Sequence, residues 1–217
     1  FLLSIGSLAV AGGALRPLAS LVTEIQAAEA PAERLLTLLN SELEEVDEKP
    51  IAKRHSKSIE FHDISFTYEN SETPAINNLS VCIEHGQRVA IVGPNGSGKT
   101  TLVSLLPRLL QAQVGKISID GINIDDVSAA SLRSQIGVVT QETVLFHGSI
   151  ESNIRFGLDA TKEQVETVAK QAHADTFICE LDDGYQTFVY EQGTSLSGGQ
   201  RQRLAIARAL LRDPSIL

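Results

Sequence analysis

Gly93-Pro94-Asn95-Gly96-Ser97-Gly98-Lys99-Thr100 matches the pattern GxxxxGK[ST] at every fixed position. It follows Arg88 to Val92, which reads as a buried strand, and it leads into an apolar stretch, Leu102 to Leu110, which reads as a helix. Glycines let such a loop turn with its N–H groups pointing inward. The helix start adds a partial positive charge, so a pyrophosphate is held without its water. In this reading Lys99 lies along the β- and γ-phosphates as a point charge, and Thr100 offers its hydroxyl to Mg2+. Gly93 through Thr101 are therefore the first candidate contacts. The loop by itself specifies nucleotide phosphates and suits GTPases, small-molecule kinases and motors equally.

Composition narrows the partners. The 217 residues include 18 basic and 27 acidic side chains, a formal charge of −9, and a surface of that sign repels a polyanion at long range, so no nucleic-acid partner is expected. Cys82 and Cys179 form no CxxC or Cys/His cluster, which argues against a metal site or disulfide framework and for a reducing compartment. His55, His62, His85, His147 and His173 fit no catalytic position, and surface or loop placement is expected for each.

The two ends read differently from the middle. Phe1 to Leu15 is an uncharged apolar run. As a helix it spans about 22 Å, too little to cross roughly 30 Å of hydrocarbon alone. It reads as a core helix or as the last part of a membrane span. Leu21, Val22, Ile25, Ala28, Ala32, Leu35, Leu36, Leu39, Leu43 and Val46 then recur at helical spacing, with a kink expected at Pro31. Glu42 to Lys57 is charged, contains Pro50 and loses the stripe, which marks a connector. Beyond it come short β-rich runs, Ile59 to Tyr68 and Leu79 to Ile83, with a turn at Glu84-His85-Gly86.

A second glycine motif, Leu196-Ser197-Gly198-Gly199-Gln200, opens the helical stretch Arg201 to Leu210. A serine hydroxyl and two glycine amides at a helix start make another anion site, although a plain helix cap has the same composition. One nucleotide does not need two such cradles within one molecule. With the phosphate loop about a hundred residues upstream, the pair resembles the ATP-binding cassette family, in which this pentapeptide completes the site on a partner subunit. The similarity runs from Ile59 onward and points to the exporter branch, where membrane and ATPase domains share a polypeptide.

What the resemblance implies is specific. The fold class is α/β, a P-loop ABC ATPase domain, incomplete at its C-terminus and preceded by the end of a transmembrane helix. Residues 1–45 correspond to that helix and its cytosolic extension, 46–58 to a linker and 59–217 to the ATPase domain. Lys99 and Gln141 are the catalytic candidates, with Gln141 and Thr100 facing Mg2+. ATP is expected to contact Tyr68 through its adenine and Gly93 to Thr101 through its phosphates, while Leu196, Ser197, Gly198, Gly199 and Gln200 contact it from the partner. Val138 to Gln141 resembles the strand leading to the family's Q-loop, and Val144 to Ile154 the stretch facing the coupling helices of the membrane domain. Tyr190-Glu191-Gln192-Gly193 departs from the exporters' Gly-Glu-Arg-Gly, which puts the cross-domain ion pairing of that loop in doubt.

Pro214-Ser215-Ile216-Leu217 falls where the family's Walker B strand begins, so the resemblance implies a piece that stops before the hydrolytic glutamate, inactive and weakly folded alone. The implied partners are a second ATP-binding domain, identical or different, the chain's own membrane domain and the membrane, with the ATP-binding domain cytoplasmic. A hydrolysis-deficient regulatory cassette and a soluble ABC ATPase are the competing readings.

Overall fold

The computed structural model describes residues 26–40, 49–190 and 196–217. The chain divides after Val46 into two compact units. In the first, helix α1 covers residues 26–39 and continues through Pro31, with Leu35, Leu36, Leu38 and Leu39 exposed. Among the described residues no helix is long and apolar enough to cross a membrane. The expected membrane segment, Phe1 to Leu15, lies outside the described residues.

The second unit, Asp47–Leu217, carries both glycine motifs. Its sheet has the order β2-β1-β3-β4, antiparallel throughout, from β1 (Ser58–Phe66), β2 (Ile76–Glu84), β3 (Val114–Ile119) and β4 (Ile122–Asn123). β1 buries Ile59 and Phe61, then Ile64 and Phe66. Strict alternation would send one of these pairs to the wrong face. An irregularity in the pairing between Phe61 and Ile64, with Asp63 at φ 51°, shifts the phase and returns all four to the core. Gly115 faces that irregularity with φ +87°, and a Cβ there would collide with the backbone oxygens of His62 and Asp63. Asp120 and Gly121, both with positive φ, form the tight β3–β4 turn.

Helices α2 (Lys99–Leu105) and α3 (Ala129–Ser134) contribute Leu105 and Leu132 to the core beneath this sheet. A separate core unites α4 (Ile150–Arg155), α5 (Lys162–Gln171), α6 (Asp175–Cys179) and α7 (Gly198–Leu211), around Ile150, Ile154, Val165, Ile178 and Leu204, each with no exposed surface. The short pair β5 (Gly148–Ser149) and β6 (Phe188–Val189) edges this helical lobe. α5 starts at a capping box of Thr161 and Gln164.

Three local expectations are corrected. Arg88 to Val92 forms no strand: Val89, Ile91 and Val92 are 53, 42 and 86% exposed. A parallel strand needs paired neighbours and cover on both faces, and this run finds neither among the described residues. For the same reason Val138 to Thr140 forms no strand, and among the described residues parallel pairing is limited to one bridge between Ile136 and Ile216. Third, His55 is buried, not exposed. Its Nδ1 lies 3.0 Å from Asp120 Oδ1, inside the stretch read as a connector.

Candidate functional site

The phosphate loop is shaped by its glycines. Gly98 caps α2 at φ +82°, and a Cβ there would run into the carbonyl oxygen of Ala75, so no other residue fits without moving β2. Ser97 N–H donates to Pro94 O at 3.3 Å, closing the turn. Lys99 curls back across it: Nζ donates to Pro94 O at 2.7 Å and Gly93 O at 3.0 Å. The ammonium thus lies inside the loop's own curve, held by neutral carbonyls that an anion can replace. Asn95, Gly96 and Thr100 are exposed, leaving the Thr100 hydroxyl open for a cation. A cradle of this shape, with one interior cation and a hydroxyl beside it, fits a triphosphate with its Mg2+.

Tyr68 lies just beyond β1 and is 45% exposed. Phe66 meets it edge-on, ring centroids 4.9 Å apart at 88°, and its hydroxyl shares a 3.0 Å hydrogen bond with Thr101 Oγ1. The structure therefore joins Tyr68 to the first turn of α2, and so to the loop. Gln141 is exposed, and among the described residues no hydrogen bond links it to Lys99 or Thr100.

The second glycine motif belongs to the helical lobe. Leu196 is buried and anchors it. Ser197 caps α7: its Oγ accepts from Gln200 N–H at 3.2 Å, and Gln200 Oε1 accepts from Ser197 N–H at 2.8 Å. Such a box fixes the serine hydroxyl while leaving its proton to donate. Ser197, Gly198 and Gly199 are exposed, and nothing approaches within 4 Å of where a Gly199 side chain would project. The cap and the anion site are thus compatible uses of the same residues. Glu191 to Gly193, just before the motif, lie outside the described residues.

Arg208, outside both glycine motifs, ties α7 to the stretch after Gln141. Its guanidinium donates to Asn153 O at 2.9 Å, Val144 O at 3.0 Å and Asn153 Oδ1 at 3.1 Å, beside the stacked rings of Phe146 and Phe156. Burial lowers its pKa below the usual arginine value. Asn153, 2% exposed, also holds Phe146 through both backbone atoms. The sequence signal was present: Arg208 interrupts an otherwise apolar helix face, Leu204 to Leu211.

Asp120 fastens the segment leading into β1. It accepts from the N–H groups of Ser56 (2.7 Å), Lys57 (2.8 Å) and Ser58 (3.0 Å). Partial burial works to raise its pKa, but the Lys57, Ser56 and Ser58 amides and the His55 ring outweigh burial and hold the carboxyl well below the carboxylate range.

Comparison with known proteins identifies the family. Residues 76–217 match the family model described as ABC transporter. The chain is 47% identical over 197 residues to the ATP-dependent lipid A-core flippase of Desulfotalea psychrophila, covering 89% of this chain and 34% of the relative. It is 40% identical over 208 residues to the protein of the same name from Escherichia coli K12, covering 94% and 36%. A bacterial Atm1-family ABC exporter solved with ATP bound superimposes with a TM-score of 0.79 at 38% identity, over 88% of this chain and 34% of that one. The chain thus spans about a third of the length of the relatives it matches.

Proposed function

Since this chain belongs to the ABC transporter family, we propose that it is the ATP-binding part of a membrane exporter, and that ATP is bound between two such domains arranged head to tail. The observation that carries the reading is the pairing of a lysine-centred phosphate loop with a second, solvent-facing glycine motif on a different lobe. Lys99 exchanges its carbonyl partners Gly93 and Pro94 for phosphate oxygens. Gly93 to Gly98 enclose the phosphates with the backbone N–H of Thr101, Thr100 and Gln141 hold Mg2+, and Tyr68 stacks on adenine. Bound there, Mg2+ would supply charge neutralisation to the phosphates. From the partner domain, Leu196 to Gln200 close the site, with the Ser197 hydroxyl and the Gly198 and Gly199 amides directed at the γ-phosphate. ATP then joins the two domains and its hydrolysis parts them.

The segment Val144 to Ile154, held by Arg208, faces the membrane domain and carries that motion to it. The ATPase domain lies on the cytoplasmic side. An amphiphilic lipid is the substrate class suggested by the names of the relatives. The test is ATP-driven lipid translocation by the full encoded protein in proteoliposomes. Lys99→Ala is expected to lower turnover by about 10² to 10³, by analogy with the loss of a single preorganised charge donor. Translocation that survives without ATP or with Lys99→Ala contradicts the proposal.

A further inference from the structure

We infer that Thr101 is a positioning residue for Tyr68: its hydroxyl, through the 3.0 Å bond to the Tyr68 hydroxyl, holds the ring ready for a nucleobase and ties base recognition to the phosphate loop. The inference rests on the proposed contact between Tyr68 and adenine.

The backbone around the ring is already pinned. Thr67 N–H donates to Gln113 Oε1 and Gln113 Nε2 donates to Thr67 O, both at 2.8 Å, while Tyr68 O accepts from Ser71 N–H at 2.9 Å. What remains free is the side-chain torsion. Phe66 supports the ring at its edge, and Thr101 fastens its tip. A half-exposed aromatic without such restraint loses rotamer freedom when a base stacks on it, and that cost reduces affinity. Thr101 is itself 5% exposed and lies two residues after Lys99 in α2, so it is a fixed anchor. A ligand with a base gains from the tether, whereas a bare polyphosphate held by the same loop does not.

The experiment measures binding of MgATP and of magnesium tripolyphosphate to the full encoded protein by titration calorimetry. Tyr68→Ala tests the stacking itself and is expected to weaken MgATP by about tenfold or more. Tyr68→Phe and Thr101→Val each remove one end of the bond and are expected to weaken MgATP by about two- to tenfold. Tripolyphosphate affinity stays unchanged in all three, Thr101→Ser restores MgATP binding, and the Tyr68→Phe/Thr101→Val pair is no weaker than either single variant. Equal loss of both ligands in Thr101→Val overturns the inference, because Thr101 then acts on the phosphates directly. Wild-type MgATP binding by Tyr68→Phe, or additive losses in the double variant, also overturns it while leaving the stacking intact. Wild-type MgATP binding by Tyr68→Ala removes the adenine contact and the inference with it.

Discussion

The two lobes that carry the glycine motifs reach their order by different means. In the helical lobe, Ile150, Ile154, Val165, Ile178 and Leu204 are wholly buried, and α7 satisfies its own first turn through the Ser197–Gln200 box. In the sheet lobe the core beneath β1 is equally closed, yet the run that delivers the phosphate loop, Arg88 to Val92, has no strand partner among the described residues and exposes Val92 at 86%. A helix pairs its backbone within itself, whereas a strand takes its pairing from neighbours. The Ser197 motif is therefore placed by local sequence. The Lys99 loop depends on Gly98 against Ala75 and on the Lys99 bonds to its own carbonyls.

The largest contrast to test is one of stability. Leu204→Ala empties a fully buried site and is expected to cost about 3 to 5 kcal/mol. Val92→Ala, in the unpaired run, is expected to change stability by less than about 0.5 kcal/mol. Thermal and denaturant melts of both variants check this, and equal costs would erase the distinction between the lobes.

A middle-sized effect concerns the segment that enters the sheet lobe. Asp120→Asn is expected to cost about 2 kcal/mol at pH 7, since a charged acceptor of three amides is lost. The carboxyl's pKa is depressed in the folded chain, so its stabilisation is complete above the unfolded value of about 3.9 and disappears as pH falls through the folded value. The gap between wild type and Asp120→Asn should accordingly narrow steadily as pH falls below about 4 in melts run as a pH series. A gap that persists or widens there contradicts this origin.

The smallest effect is expected at the helix cap. Ser197→Ala removes the acceptor for Gln200 N–H and should cost about 1 kcal/mol of helical-lobe stability, read as a shift in melting temperature. Its effect on ATP turnover should be far larger than that shift explains.

How much of this was legible in the sequence follows the same division. α7 was readable from Ser197 to Leu210 because its cap and its apolar spacing are local, and the turn after Glu84 was readable for the same reason. β1 was readable as a strand, but the phase shift at Asp63 was not, because it answers to Gly115 on another strand. Arg88 to Val92 looked like a strand on hydrophobicity alone, and hydrophobicity says nothing about whether neighbours are in place. The loop residues Gly93 to Thr100 were legible as a motif. The bond from Thr101 to Tyr68 and the burial of His55 against Asp120 join residues more than thirty positions apart, and no local pattern encodes them; the charge of Arg208 in an apolar run is visible in the sequence, but its partner Asn153 is not.

The central claim is that Lys99 of one molecule and Ser197 of another close on the same ATP. Full encoded proteins carrying Lys99→Ala alone and Ser197→Arg alone should each be inactive, with both of their shared sites damaged. Mixed and allowed to pair, they form dimers in which one site holds both intact motifs. The account predicts that ATPase activity reappears on mixing and is absent when one chain carries both substitutions and is paired with either single variant. Mixtures of the two single variants that stay as inactive as their components would contradict it, because both motifs would then serve a nucleotide within one chain.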